Sequence, residues 1–383
     1  MRGGFIFILV LFSTLVYAND PLKIGLFHGQ EFLRASFTVV KGQMEVVVDG
    51  EALLKLQPGD QFDMSTASGQ LSFIKGELQK KSSNRIVIRS IIPTLFKIQI
   101  AGFKATQRLY EGDLLVTKVG SRLQLTNILP LENYVSGVVE AEGGARHTME
   151  YYKVQCIISR TYATANLRRH EAEGFHLCDA THCQVYHGVS RHEPLIKIAT
   201  QETEDIVIVD QNIDLITAAF HSNCGGHTNN AEDVWSKPLS YCIGKKDTFC
   251  LVMPNSNWEK SVEKTQWMGY LNKKKYPLED SSSASAVAYF PSEKELYFAD
   301  SSLKIPNKVI RQDFKLKSAY FSVHQNGDKV TFIGQGFGHG VGLCQEGAIR
   351  MASLGYTYKD IIHFYYTDVH LIPLRFRWFF AAD

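Results

Sequence analysis

Three short stretches carry side chains able to do chemistry. The first is Glu140-Ala141-Glu142-Gly143-Gly144. A carboxyl beside flexible glycines can face a cleft, and partial burial lets it hold a proton near neutral pH as a general acid. The plain alternative is a solvated surface glutamate. The second runs from Phe175 to Cys183 and packs His176, Cys178, His182 and Cys183 together. Thiolate and imidazole are the preferred ligands of tetrahedral zinc. The spacing is not that of a zinc ribbon, so a Cys178–Cys183 disulfide and free thiols stay open beside a metal. The third is split between His221-Ser222-Asn223-Cys224-Gly225-Gly226-His227 and Gly336-Phe337-Gly338-His339-Gly340-Val341-Gly342. Glycines let the backbone turn tightly and let a ligand come close. Tight turns with hydrogen-bonded histidines are the alternative. The glycine run is no dinucleotide fingerprint, because no strand–helix–strand unit with a trailing acid surrounds it. Cys224 with His221 or His227 would also suit a thiol hydrolase, if one imidazole kept the thiolate ionised.

The elements that position these groups fall into two blocks, and the fold class expected is α+β. Residues 22 to 128 read as strands: Leu22–Phe27, Ser36–Val40, Met44–Val48, Arg85–Ile91, Phe96–Ile100 and Leu114–Val119, with Gly, Asp and Ser between them. From Leu129 the texture changes, giving a boundary between a β-rich module (19–128) and a mixed domain (129–383). Leu131 to Val139 has helical spacing. A longer helix is expected from Thr148 to His170, with Met149, Tyr152, Cys156, Ala163 and Leu167 on one buried face, Glu150 in its first turn and Arg168-Arg169 in its last. Ile206–Val209 and Leu215–Phe220 read as a hairpin, Trp258 to Lys275 as a polar surface helix, and Asn326-Gly327 as a hairpin turn. Helices from Gly342 to Ser353 and Tyr358 to Tyr366 precede a last strand, Leu371–Phe380.

Composition limits the function. Among 383 residues, 41 Lys+Arg face 39 Asp+Glu, a net charge of +2 that argues against nucleic-acid binding. Arg2, the apolar run Phe5–Val16 and the small residue Ala18 before Asn19 form an export signal, with cleavage expected after Ala18. A run of twelve residues is too short for a comfortable membrane span, so a protein exported to the periplasm, envelope or exterior, without a stable membrane anchor, is expected. Seven cysteines leave at least one thiol unpaired in an oxidising compartment. Spacing suggests Cys178 with Cys183 and Cys242 with Cys250.

Taken in order, several blocks resemble one family, that of stage II sporulation protein D and the amidase enhancer LytB. Leu129-Pro130-Leu131-Glu132-Asn133-Tyr134 with Gly137-Val138-Val139 opens the likeness. Ser159-Arg160-Thr161-Tyr162-Ala163, Cys178-Asp179, Gln184-Val185-Tyr186, His221 to Thr228, Val234-Trp235 and Gly336 to Gly347 continue it. Two positions depart: Gly143-Gly144 stands where the family has Met-Pro, and Cys344 where it usually has Ser. The resemblance implies action on peptidoglycan. One family activity is lytic transglycosylation, in which Glu142 matches the catalytic glutamate. The other is stimulation of a cell-wall amidase without cleavage. Arg160, Tyr162, Tyr186, His221, His227, Trp235 and His339 are then expected to line a glycan groove with Glu142, with core packing as the alternative for the tyrosines. The resemblance also implies a structural zinc in the second stretch, with His176, Cys178, His182 and Cys183 as ligands.

Overall fold

The computed structural model describes residues 21–100, 108–191, 193–278, 286–299 and 305–376. The expected export signal lies outside them. The chain divides into two compact units, Met1–Leu131 and Glu132–Asp383, and its strands and helices make it α+β.

The first unit is an antiparallel sheet. Its strands are β1 (Leu22–Leu26), β2 (Arg34–Val48), β3 (Glu51–Leu56), β4 (Gln61–Ser65), β5 (Leu71–Lys75), β6 (Leu78–Ser82), β7 (Arg85–Ile100), β8 (Arg108–Glu111), β9 (Asp113–Val119) and β10 (Arg122–Leu129). The order runs β1-β10-β9-β7-β2-β4-β5-β6, with β3 on β2 and β8 on β7. Two pairs of expected strands are each one long strand. β2 absorbs Lys41-Gly42-Gln43 and β7 absorbs Ile92-Pro93 because the β2–β7 ladder shifts register between Val39 and Met44. A breaker residue in mid-strand thus makes a bulge and bend, not an end. Alternating residues bury Phe37, Phe62 and Phe73, whose rings stack at 5.0 and 5.4 Å.

The second unit is built on two helices. α1 (Leu131–Gly143) buries Tyr134, Val135, Val138 and Val139 and stops before Gly144, a left-handed residue at φ 73°. α2 (Met149–Ala165) is buried on nearly every side, not along one stripe. α3 (Pro194–Glu202), the Ile206–Val209 strand and α8 (Tyr358–Tyr365) all pack on it. It ends five residues earlier than expected, where the Asn166 side chain donates to the Tyr162 carbonyl at 2.8 Å. Arg168 and Arg169 therefore lie beyond the helix, and Leu167 is exposed.

The expected hairpin after residue 206 is reduced to one antiparallel bridge, Val209 with Leu215. Ile206–Val209 pairs with His370–Pro373, and Phe220–His221 pairs in parallel with Leu343–Cys344. The segment expected as a surface helix opens as a strand, Asn257–Glu263, followed by α5 (Lys264–Lys273). The strand is fixed because Trp258 packs over Gly334 on the Lys329–Gln335 strand, and its indole N–H donates to Ser318 at 3.0 Å. The Asn326-Gly327 hairpin forms as expected. Short α4 (Ala231–Trp235), α6 (Asn307–Asp313) and α7 (Gln345–Ser353) complete the helices that matter below.

Candidate functional site

Glu140 and Glu142 both lie in the last turn of α1, so their side chains diverge by about 200° around the helix. Glu140 accepts from the Ser190 hydroxyl at 2.8 Å and the Arg191 amide at 2.9 Å. Glu142 accepts from the Val185 amide at 2.7 Å with one oxygen. Burial pushes its carboxyl above the ordinary value, and the Val185 hydrogen bond only partly opposes this. Glu140 is not the cause of the shift. Its carboxylate is turned away and held by a hydroxyl and an amide.

α1 reaches this place because the loop that crosses it comes unusually close. A Cβ on Gly137 would meet the Gly188 carbonyl oxygen at 2.2 Å and the Tyr186 ring at 2.6 Å. The same loop supplies Val185, Ser190 and Arg191. Tyr186, expected in the groove, is fully buried and packs on Tyr134 at 5.1 Å between ring centres. Arg160 is also a correction. It is fully buried, and its fork donates to Glu132 at 2.7 and 2.5 Å and to the Ile206 carbonyl at 3.0 Å. A guanidinium so paired and so buried ties α1 and α2 to a strand and is out of reach of a sugar. Tyr162 is half-buried near Cys178, Cys183 and Arg169, and burial raises its hydroxyl to about 12.

The histidine loops do meet. His221 and His339 have ring centres 5.5 Å apart, and Trp235 lies 5.2 Å from His339. Four glycines of the 336–342 run have positive φ, and a Cβ on Gly338 would meet His221 Cβ at 2.7 Å. Here the backbone must be bare for the two loops to touch. His221 donates from Nδ1 to the Val341 carbonyl at 3.2 Å, while its buried Nε2 has no partner. Burial drives His221 well below the ordinary imidazole range and takes His339 to about 4. Both are neutral at pH 7. Trp235 keeps 40% of its surface exposed. His227 is exposed and donates from Nδ1 to the Thr228 carbonyl at 2.6 Å. The parallel pair sets His221 opposite Cys344, and the next residue, Gln345, donates its amide to the Glu142 carbonyl at 3.2 Å.

Cys224 is not coupled to His221 or His227. The Cys224 sulfur faces Cys250 and Asp247, each at 3.3 Å. Cys250 therefore sits with Cys224, not with Cys242, and none of the seven cysteines is in a disulfide.

The second stretch converges on four ligand atoms, but with a different member. His170, Cys178, His182 and Cys183 bring their donors within 4.8 Å of one another. His170 replaces the expected His176. The chain folds back at Gly174, so His170 stacks on Phe175 at 4.8 Å and its Nε2 comes 3.4 Å from Cys183 Sγ. Its Nδ1 faces Glu173 at 2.5 Å, the carboxylate–imidazole arrangement that fixes a metal-binding ring. The neighbours His182 and Cys183 can ligate together because the Cys183 amide turns back to the Ala180 carbonyl at 3.0 Å. Two sulfurs and two imidazole nitrogens suit tetrahedral zinc.

Comparison with known proteins fits this geometry. A family model described as Stage II sporulation protein matches residues 119–209, which span α1, α2 and the Cys/His cluster. Stage II sporulation protein D of Bacillus subtilis (strain 168) is 30% identical over 63% of this chain and 74% of its own length. The chain belongs to the stage II sporulation protein D family. An amidase enhancer of the same organism is also 30% identical, over 62% of this chain and 40% of its own length. An uncharacterized protein of Brachyspira hyodysenteriae is 25% identical over 91% of this chain and 95% of its own.

Sequence reasoning missed three parts of this family member's site. Glu346 is almost buried and accepts from Asn223 at 2.6 Å and Asn255 at 2.7 Å, joining the two histidine loops. Lys294 donates to the Cys224 carbonyl at 2.8 Å and to Asn229 at 3.2 Å. Neither lies in a stretch whose spacing suggested chemistry, although Glu346 directly follows the Gln345 of a quoted block. Gln345 was quoted only as part of a motif, with no role attached.

Proposed function

We propose that this protein is a peptidoglycan lytic transglycosylase in which Glu142 is the single acid and base. The observation that carries the reading is the state of Glu142: a carboxyl with its pKa raised by burial, one oxygen held by an amide, and its neighbouring carboxylate turned away. A retaining or inverting glycosidase needs two carboxylates working together. An intramolecular nucleophile removes that need. Glu142 donates its proton to the glycosidic oxygen as the bond between MurNAc and GlcNAc breaks. The MurNAc C6 hydroxyl then attacks C1, and the carboxylate takes the hydroxyl proton. A 1,6-anhydro ring results, and the proton is back on Glu142.

Neutral His221 and His339 beside an exposed indole suit a sugar better than an ion. The flat ring of Trp235 covers an apolar sugar face. Glycan strands stripped of stem peptides are the expected substrate. The His170, Cys178, His182, Cys183 set would hold a structural zinc. With four protein ligands it leaves no open position, so its role is to pin the segment before Val185. Envelope or extracellular location follows from the substrate and the export signal.

The amidase-enhancer relative supports a second reading, in which the same groove binds glycan and stimulates an N-acetylmuramoyl-L-alanine amidase. One experiment separates the two. Denuded glycan strands and intact sacculi are incubated with the protein and the products identified by mass spectrometry. Anhydro-MurNAc ends support cleavage. No release alone, but faster release with an added amidase, supports the second reading and overturns the first.

A further inference from the structure

A second sulfur-rich cluster lies in the interior below the His221 loop sequence. Cys224, Asp247, Cys250 and Cys344 are each at most 2% exposed, and one donor atom from each lies within 4.8 Å of the others. They come from three separate segments: the loop after the Phe220–His221 strand, the turn at 247–250, and the residue capping α7. We propose that these four residues form a closed site for a zinc-class divalent cation, distinct from the Cys/His cluster, which clamps the two histidine loops together.

The geometry fits. Zinc bonds of about 2.3 Å to sulfur and about 2.0 Å to oxygen put tetrahedral ligand atoms roughly 3.5–3.8 Å apart. Cys224 Sγ lies 3.3 Å from both Cys250 Sγ and Asp247 Oδ2, so a small expansion admits the ion. Asp247 and Cys250 are separated by two residues, a usual spacing for ligands contributed by one turn.

The surroundings are arranged for negative charge. The Cys224 and Gly347 amides donate to Cys344 Sγ at 3.3 and 3.4 Å. Cys344 is also the N-cap of α7, where the helix dipole favours an anion. Asp247 receives the Phe249 amide at 3.0 Å and the Tyr365 hydroxyl at 2.8 Å. The Lys294 ammonium sits on the Cys224 carbonyl and offsets part of the charge. Three thiols and a carboxyl buried together without a cation would leave that arrangement unused, because buried charge persists only when paired or metal-bound. Four protein ligands close the site, so the ion holds structure and takes no part in glycan chemistry.

The full chain, purified without chelator and supplied with buffered zinc, is measured by elemental mass spectrometry. A Cys178→Ser/Cys183→Ser protein should retain about one zinc per chain, and adding Cys224→Ser should remove it. Should that triple variant not fold, Cys344→Ser alone in the otherwise unchanged chain should lose about one equivalent while keeping the other. Cobalt(II) loaded into the Cys178→Ser/Cys183→Ser protein should give thiolate charge-transfer absorption that weakens with Cys344→Ser. Zinc uptake unchanged by Cys224→Ser and Cys344→Ser would overturn the site. So would a Cys224–Cys250 disulfide recovered in peptide maps from metal-free protein.

Discussion

Glu142 gives one oxygen to an amide and is shielded from water over most of the rest, and that balance sets its chemistry. Glu142→Gln keeps the shape and the Val185 hydrogen bond but cannot donate a proton. Cleavage measured by release of anhydro ends should fall by at least roughly 100-fold, the scale of general acid catalysis. Glu140→Gln should cost far less, because Glu140 holds only Ser190 and Arg191. The acid must be protonated to act, so wild-type cleavage should decline as pH rises through a value above the ordinary carboxyl 4.5. The histidines titrate the other way. His339 is neutral when folded down to about 4 but takes a proton near 6.5 when unfolded. The unfolded chain thus binds more protons in that window, and stability falls as pH drops below 6.5. Urea melts of His339→Gln at stepped pH should show a flatter loss between those two values. At this scale the sequence revealed which residue types could act. It did not reveal which were already spent: Arg160 and Tyr186 sit in quoted motifs, yet an ion pair and a tilted ring contact in the core use them up.

At the scale of elements, α1 and the crossing loop at 184–191 act as one part. Gly137→Ala would drive a methyl into the Gly188 carbonyl and the Tyr186 ring. Overpacking of this kind costs about 1–3 kcal/mol, and the loop that yields is the one holding Glu142. Thermal melting should drop, and cleavage should fall more than the lost stability explains. Wild-type activity in a folded Gly137→Ala protein would show that the loop does not position the acid. α1 was readable from its period as far as Val139, but not the further turn to Gly143 that carries Glu140 and Glu142. The register of β2 on β7 was not, because a bulge is chosen by the partner strand. The parallel pairing of 220–221 with 343–344 was equally hidden, since two residues of strand leave no periodic trace. His170 was passed over for His176 as the more distant residue in sequence, but the turn at Gly174 brings it, thirteen positions from Cys183, to 3.4 Å from that sulfur.

For the whole molecule, the Cys/His set lies between α2 and the loop that reaches Glu142. Removing zinc with a chelator should lower the melting temperature first and activity only secondarily, since the proposed ion holds structure. Calorimetry and cleavage assays on the same chelated sample check the order. An activity loss that precedes any change in melting would place the metal in the chemistry instead.

The hydrogen bond from Gln345 to the Glu142 carbonyl spans 203 positions in the chain, and that from Tyr358 to Glu150 spans 208. Contacts that distant close late, because the ordering entropy of the intervening chain is spent before they form. The helices of the second unit are local and assemble early; the groove is the last thing to exist. In refolding, far-ultraviolet circular dichroism should therefore recover before cleavage does. A chain still emerging from its synthesis carries Glu142 but lacks the segment that braces it. The chain's own topology thus delays the bracing of Glu142 until its C-terminal third has arrived.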